Sequence, residues 1–280
     1  MKYYLFIAPL FICSLLFGQS FEHESQALAR KSQHLNSATA YHLVVKNGLI
    51  EPVSSHNLIY QLDTLGRVIQ KTQTSLSGTK STYQYAYPKN AFNFIESMKY
   101  ENDELVENVV NEVDKDLNLT RSTVYGSENS TQSVMLCSYQ ENKIGNLTHL
   151  NYNLEMEDYV LYTYSFDKKS KNEMQEATFY RVDSSFWYKM VTYYNDKKNP
   201  TQQLFINHQG RFYQTINYEY DKVGHLQAIK TLDIENKLAS QKDFTYNKNG
   251  ILEKIRYQEF DAGAVMILEE TYIFEYHQKE

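Results

Sequence analysis

The chain has 280 residues, of which 42% are hydrophobic and 22% charged, with a formal net charge of -6. That balance supports a folded core and lacks the basic face that a nucleic-acid binder normally presents, so nucleic acid is excluded as a partner class. The distinctive bias is 25 Tyr and 14 Phe against 10 Gly, 4 Pro and one Trp, which favours pleated, half-buried surfaces and an all-β chain.

In chain order, residues 1–18 read as a signal peptide. Lys2 is the sole charge before the apolar run Tyr3 to Phe17, which ends in Leu-Leu-Phe-Gly-Gln and is too short for a membrane span. Bulky Ile12 before Cys13 disfavours a lipoprotein anchor. Export would leave Cys137 as the one thiol, in an apparent strand, where it suits a small buried hydrophobe. Residues 19–40 form a polar leader, and the β pattern starts at Tyr41 and continues to the end of the chain.

Within 41–280, the segment Tyr218 to Ile229 is the clearest unit of a repeat. Ile216, Tyr218 and Tyr220 share one strand face, Asp221 can accept backbone amides, Gly224 can take a positive φ, and Leu226 and Ile229 begin the return strand. Equivalent positions are Leu62, Tyr87, Val113, Tyr139, Phe166, Tyr194, Tyr220, Tyr246 and Tyr276, spaced 25 to 30 residues apart. Turn-forming stretches follow the first eight of them, and a second set lies midway, including Asn207–Gly210, Asp233–Lys237 and Asp261–Ala264. Two turns in each interval make each unit a hairpin, and the whole an up-and-down antiparallel meander of about 18 strands. A meander of this length curls as its twist accumulates, so the expectation is a long curved sheet with the tyrosines inside the curve. Charges on both strand faces, scarce Gly and the ending Glu-Tyr-His-Gln-Lys-Glu argue against a membrane-spanning barrel.

The stretches Tyr218-Glu-Tyr-Asp-Lys-Val-Gly-His-Leu, Phe244-Thr-Tyr-Asn-Lys-Asn-Gly-Ile-Leu and Leu62-Asp-Thr-Leu-Gly-Arg-Val resemble the YD-repeat, or RHS-repeat, family of secreted and surface proteins, in the short form found in Bacteroidota. The resemblance spans about Leu58 to Tyr276. It implies a long curved β-sheet acting in surface or carbohydrate binding, and supplies no catalytic residue.

No chemistry-bearing motif emerges from the rest. The eight His form no zinc pattern, although His149, His208 and His225 lie beside repeat turns. Turn acids such as Asp63, Asp114, Asp196 and Asp221 are better explained by Asx-type bonding than by a calcium row. No nucleophile elbow and no phosphate-binding Gly loop is present, so no catalytic residue, metal or cofactor is expected. What remains is aromatic, and Tyr164, Tyr194, Tyr218, Tyr220 and Tyr246 are the candidate binding residues, since a tyrosine ring with its polar tip suits sugar stacking or a protein interface. Cross-strand packing explains most strand tyrosines equally well. The reading is a non-enzymatic exported scaffold or binding protein of the cell envelope, in the periplasm, at the cell surface or outside, with a glycan or envelope protein as partner. A carrier for an apolar ligand such as a lipid, and a glycan-active enzyme, are the alternatives left open.

Overall fold

The computed structural model describes residues 29–50, 58–74, 78–89, 91, 94–141, 143–166 and 173–278. The expected signal peptide and most of the expected leader lie outside the described residues. A helical turn at 29–32 precedes nineteen strands. In order these are β1 (Leu35–Lys46), β2 (Leu49–Ile50), β3 (Leu58–Leu62), β4 (Val68–Thr74), β5 (Lys80–Ala86), β6 (Glu96–Glu101), β7 (Glu104–Val113), β8 (Leu119–Gly126), β9 (Thr131–Gln140) and β10 (Lys143–Leu150). They continue with β11 (Met156–Phe166), β12 (Glu173–Arg181), β13 (Phe186–Tyr194), β14 (Pro200–Asn207), β15 (Phe212–Tyr220), β16 (Leu226–Leu232), β17 (Leu238–Tyr246), β18 (Leu252–Phe260) and β19 (Met266–Gln278).

From β3 to β19 each strand pairs antiparallel with the next, the up-and-down meander that the repeat spacing implies. The open curved sheet is corrected by β1, which pairs with β19 from Leu35↔Gln278 to Lys46↔Leu268 and with β3 from Ser37↔Gln61 to Ala40↔Leu58. The sheet closes into a barrel. Leaving aside the two-residue β2, the wall has eighteen strands. An even number brings the last strand antiparallel to the first, so the closing ladder has the same geometry as every hairpin. Residues 35–40, from the expected polar leader, form the first half of this closing strand.

The turns are built locally and alike. In nine of them a leading Asp or Asn, namely Asp63, Asp114, Asn151, Asn195, Asn207, Asp221, Asp233, Asn247 and Asp261, accepts through Oδ1 the amides two and four residues on. The fourth residue takes a positive φ and donates its N–H back to the leading carbonyl, as Gly224 does to Asp221 at 3.1 Å. This is the type I turn with a bulge that joins twisted strands without splaying them. At the second-set turn of β18 and β19 that position is Ala264, at φ 60°, where a Cβ is strained. Ala264→Gly should therefore stabilise the fold by about 0.5–1 kcal/mol, offset in part by the freer unfolded chain, and a urea midpoint checks it.

Register sorts the side chains onto two faces. The row Cys137↔Leu147↔Val160↔Phe179↔Tyr188 crosses five strands on the inner face. Around it Met135, Ile144, Ala177, Met190 and Phe205 complete one apolar cluster, in which Leu147 and Val160 are 1% and 0% exposed. On the outer face the row Asn217↔Lys230↔Gln241↔Gln258↔Glu269 is polar across five strands.

Candidate functional site

Closure places the expected binding tyrosines together on the inner wall, where their hydroxyls are engaged. Near the end marked by Asp63, Asp221 and Asn247, several hairpins have a register shift where the first strand meets the turn, at Gln61/Leu62, Tyr193/Tyr194, Glu219/Tyr220 and Thr245/Tyr246. The first residue of the return strand then presents a carbonyl to the interior. A tyrosine of the following hairpin donates to it: Tyr87 to Val68 at 2.8 Å, Tyr220 to Pro200 at 2.9 Å, Tyr246 to Leu226 at 2.9 Å and Tyr276 to Leu252 at 2.8 Å. Tyr164 does the same for Ile144 at 3.2 Å. Carbonyl and phenol lie 19 to 24 residues apart, just short of the interval between equivalent repeat positions. Tyr246→Phe should cost about 0.5–1.5 kcal/mol by orphaning the Leu226 carbonyl, read as a lower urea midpoint with unchanged far-UV circular dichroism.

Two glutamines extend this network. Gln175 donates to Tyr164 at 2.8 Å and accepts from Tyr194 at 3.1 Å, while Gln203 accepts from Tyr218 at 2.8 Å and donates to buried Thr192 at 3.3 Å. Burial pushes the Tyr218 phenol up to about 12, and Tyr194 rises further for the same reason. Tyr164, raised by burial as well, Tyr194 and Tyr218 therefore remain protonated at neutral pH, and with their hydroxyls bonded all five expected tyrosines offer rings rather than free hydroxyls to the interior.

Inner-wall carboxylates are held by their neighbours. Glu173 pairs with Lys143 and Lys198, Asp158 with His149 at 2.5 Å, Glu270 accepts from Tyr272 at 3.1 Å and lies 3.5 Å from His42, and Glu259 accepts from Tyr257 at 2.7 Å. Lys143 foremost, then Lys198, holds the Glu173 carboxyl below the ordinary glutamate value. Because the folded value is depressed, this stabilisation is present above the unfolded value and is lost as pH falls through the folded one. Glu173→Gln should accordingly flatten the acid limb of urea midpoints measured between about pH 7 and about pH 3.

The candidate histidines do not assemble. His149 lies at the end of the barrel opposite His225, which bonds Asp221 at 2.9 Å and stacks on Tyr246 at 4.9 Å, and His208 sits in the Asn207 turn. No three His, Cys, Asp or Glu side chains converge as metal ligands among the described residues. In the turn after Tyr194 it is Asn195, not Asp196, that accepts the backbone amides. Cys137 is half-buried on the inner face opposite Leu147.

Sequence reasoning missed a second inner region, formed by β1, β3 to β5 and β19. Arg30, 9% exposed on the helical turn, donates Nε to the Gly66 carbonyl at 2.9 Å, and the phenols of Tyr276, Tyr87 and Tyr60 lie around its guanidinium. Ala38 and Ala40 floor the region, so Tyr60 and Phe274 meet across β1 at 6.1 Å. Lys71 is the register partner of both Tyr60 and Tyr83, with its Nζ 5.5 Å from the Tyr83 ring centre. Arg30 carried no signal in the sequence because its burial depends on a turn closing over the end of a barrel that forms much later in the chain.

No family model matches the chain, nor does any curated protein. Among solved structures it is similar to a porin-like protein from Bacteroides uniformis, with a TM-score of 0.47 and 8% identity over 87% of this chain and 98% of that one. A porin-like protein from Bacteroides vulgatus gives a TM-score of 0.35 and 15% identity over 76% and 98% of the two chains. A LolA superfamily protein from Nitrosomonas europaea gives 0.21 and 7% over 93% and 94%. The YD-repeat, or RHS-repeat, resemblance is corrected: no family model of such a repeat matches the chain, and the meander closes on itself through β1 instead of running on as an open repeat sheet. The shared Tyr-Asp and Asn-Gly signals reflect hairpin chemistry, in which a phenol satisfies a bulge and an Asx residue caps a turn.

Proposed function

We propose that this chain is an exported, non-enzymatic β-barrel that binds an apolar or amphiphilic small molecule against its inner aromatic wall. The observation that carries the reading is closure of the sheet through β1. In an open sheet the tyrosine face could meet a polymeric glycan or another protein, whereas in a barrel it meets only what can enter. Eighteen strands at about 4.8 Å spacing make a wall about 86 Å wide measured across the strands, and strand tilt lengthens the circumference further, a size at which barrels enclose ligands or channels. The inner carboxylates, each engaged by a neighbouring cation or phenol, fit a binding wall better than a catalytic one.

The outer wall supports a water-facing barrel. Its polar row across β15 to β19 and the pairs Lys230–Glu219, Lys189–Glu176 and Arg256–Asp243 occupy strand positions that an outer-membrane barrel gives to lipid, where a charge at mid-depth costs about 2–4 kcal/mol. No helix among the described residues is long and apolar enough to cross a membrane. Export rests on the apolar segment at residues 1–18.

Mass spectrometry of the mature protein, purified from its native envelope under mild conditions, tests the reading. An N-terminus near Gln19 together with a stoichiometric lipid-like adduct released by organic solvent is the expected result. A ligand-free protein that also fails to take up long-chain fatty acids, alcohols or phospholipids would overturn it and return the search to glycan and protein partners.

A further inference from the structure

From the surroundings of Arg30, we infer that the barrel end capped by the helical turn is a receptor for an oxyanion, the carboxylate or phosphate head group of the bound amphiphile. The inference rests on the reading of the barrel as a binder of such molecules. Arg30 is nine-tenths buried and, among the described residues, has no carboxylate partner. Its Nε is used by the Gly66 carbonyl, so its remaining N–H groups are directed among phenols.

Those phenols divide into two kinds. Tyr87 and Tyr276 spend their protons on the carbonyls of Val68 and Leu252. Tyr60 and Tyr85 have no hydroxyl partner among the described residues, and burial foremost raises both, Tyr85 to about 12, so both remain O–H donors at neutral pH. Lys71 adds a second cation beside Tyr60 on the same wall, without a carboxylate partner among the described residues. On β3 to β5 the inner positions Leu58, Tyr60, Leu62, Lys71, Tyr83 and Tyr85 include no acid. One buried cation, one half-buried cation and two donor phenols, with the flanking Asp63 already paired to Arg67, match an oxyanion, since charge-assisted bonds from a guanidinium are the strong ones and the low local dielectric makes an unanswered cation costly. The rings of Phe274 and Tyr272 continue from Tyr276 along the same inner face of β19 and offer a path for an apolar tail.

The test is calorimetric titration of the mature protein with oleate, oleyl alcohol and inorganic phosphate, repeated on Arg30→Gln and on the double variant Tyr60→Phe, Tyr85→Phe. Wild type should bind oleate about tenfold more tightly than oleyl alcohol, and Arg30→Gln should erase that difference while leaving the alcohol unchanged. The double variant keeps every ring, so it remains informative even if Arg30→Gln disturbs the cap, and a loss of about two- to fivefold for oleate alone is expected. Phosphate binding abolished by Arg30→Gln supports the oxyanion site and shows that a free anion suffices. Oleate and oleyl alcohol binding equally, with neither variant discriminating and phosphate not binding, overturns the oxyanion site and leaves the barrel as a neutral carrier. Absence of binding for all three ligands sinks both this inference and the reading on which it rests.

Discussion

Val160→Asp is expected to abolish cooperative folding. Val160 is 0% exposed on the inner face, flanked by Leu147 and Phe179 in the adjoining strands, at the centre of the apolar cluster of β9 to β14. A carboxylate there would lose its hydration without gaining a cation, because the nearest inner acid on its own strand, Asp158, already occupies His149. The cost of an unpaired buried ion is several kcal/mol, against a total stability of about 5–15 kcal/mol for a domain. Val160→Ala is the control, expected to lose about 2 kcal/mol from transfer and cavity terms while keeping one sharp transition. Urea unfolding followed by circular dichroism separates the two. A Val160→Asp protein that unfolds cooperatively near the wild-type midpoint would show that this wall is wet, and would remove the apolar half of the binding reading.

Ala40→Pro is expected to open the barrel. Ala40 faces Phe274 on one side and Leu58 on the other, so its N–H lies within a strand paired on both edges, and proline removes that donor wherever it points. The cost is about 3 kcal/mol or more by analogy with helix interiors. Its larger consequence is topological, since loosening β1 frees the unpaired edges of both β3 and β19 for pairing with another chain. Light scattering during gel filtration should show a larger mass than that of the wild type. Proline at Lys222, the position after Asp221 in a type I turn where its φ is already suited, should leave mass and midpoint unchanged. If Ala40→Pro keeps the wild-type mass and midpoint, the seam does not hold the fold together in solution.

Hairpins were legible because their chemistry is local. Asp221 captures the amides of Val223, Gly224 and His225 within five residues, so the turn can be read without knowing what surrounds it. The same local logic made the leading Asx legible at Asp233 and Asn247. It was silent where Leu117, Leu154 and Lys198 occupy the positive-φ position, because nothing in those side chains announces that conformation. The tyrosine period was visible, but the partners of its phenols were not, since Tyr220 and Tyr246 each satisfy a carbonyl beside the bulge of the preceding hairpin 20 residues back.

By itself, then, the sequence determined an all-β antiparallel meander, about eighteen strands long, with tyrosines recurring on one face. Those features depend on alternation and turn chemistry over a few residues. Closure was decided by tertiary structure alone, because β1 finds β19 more than 200 residues away and no local pattern encodes that pairing. The small side chains of Ala38 and Ala40 look unremarkable in a polar leader until Tyr60 and Phe274 meet above them. Arg30 likewise looks like a solvated charge until the turn that bears it covers the barrel end. Burial of these residues is a property of the closed surface, and a closed surface is set by long-range pairing rather than by any stretch of chain.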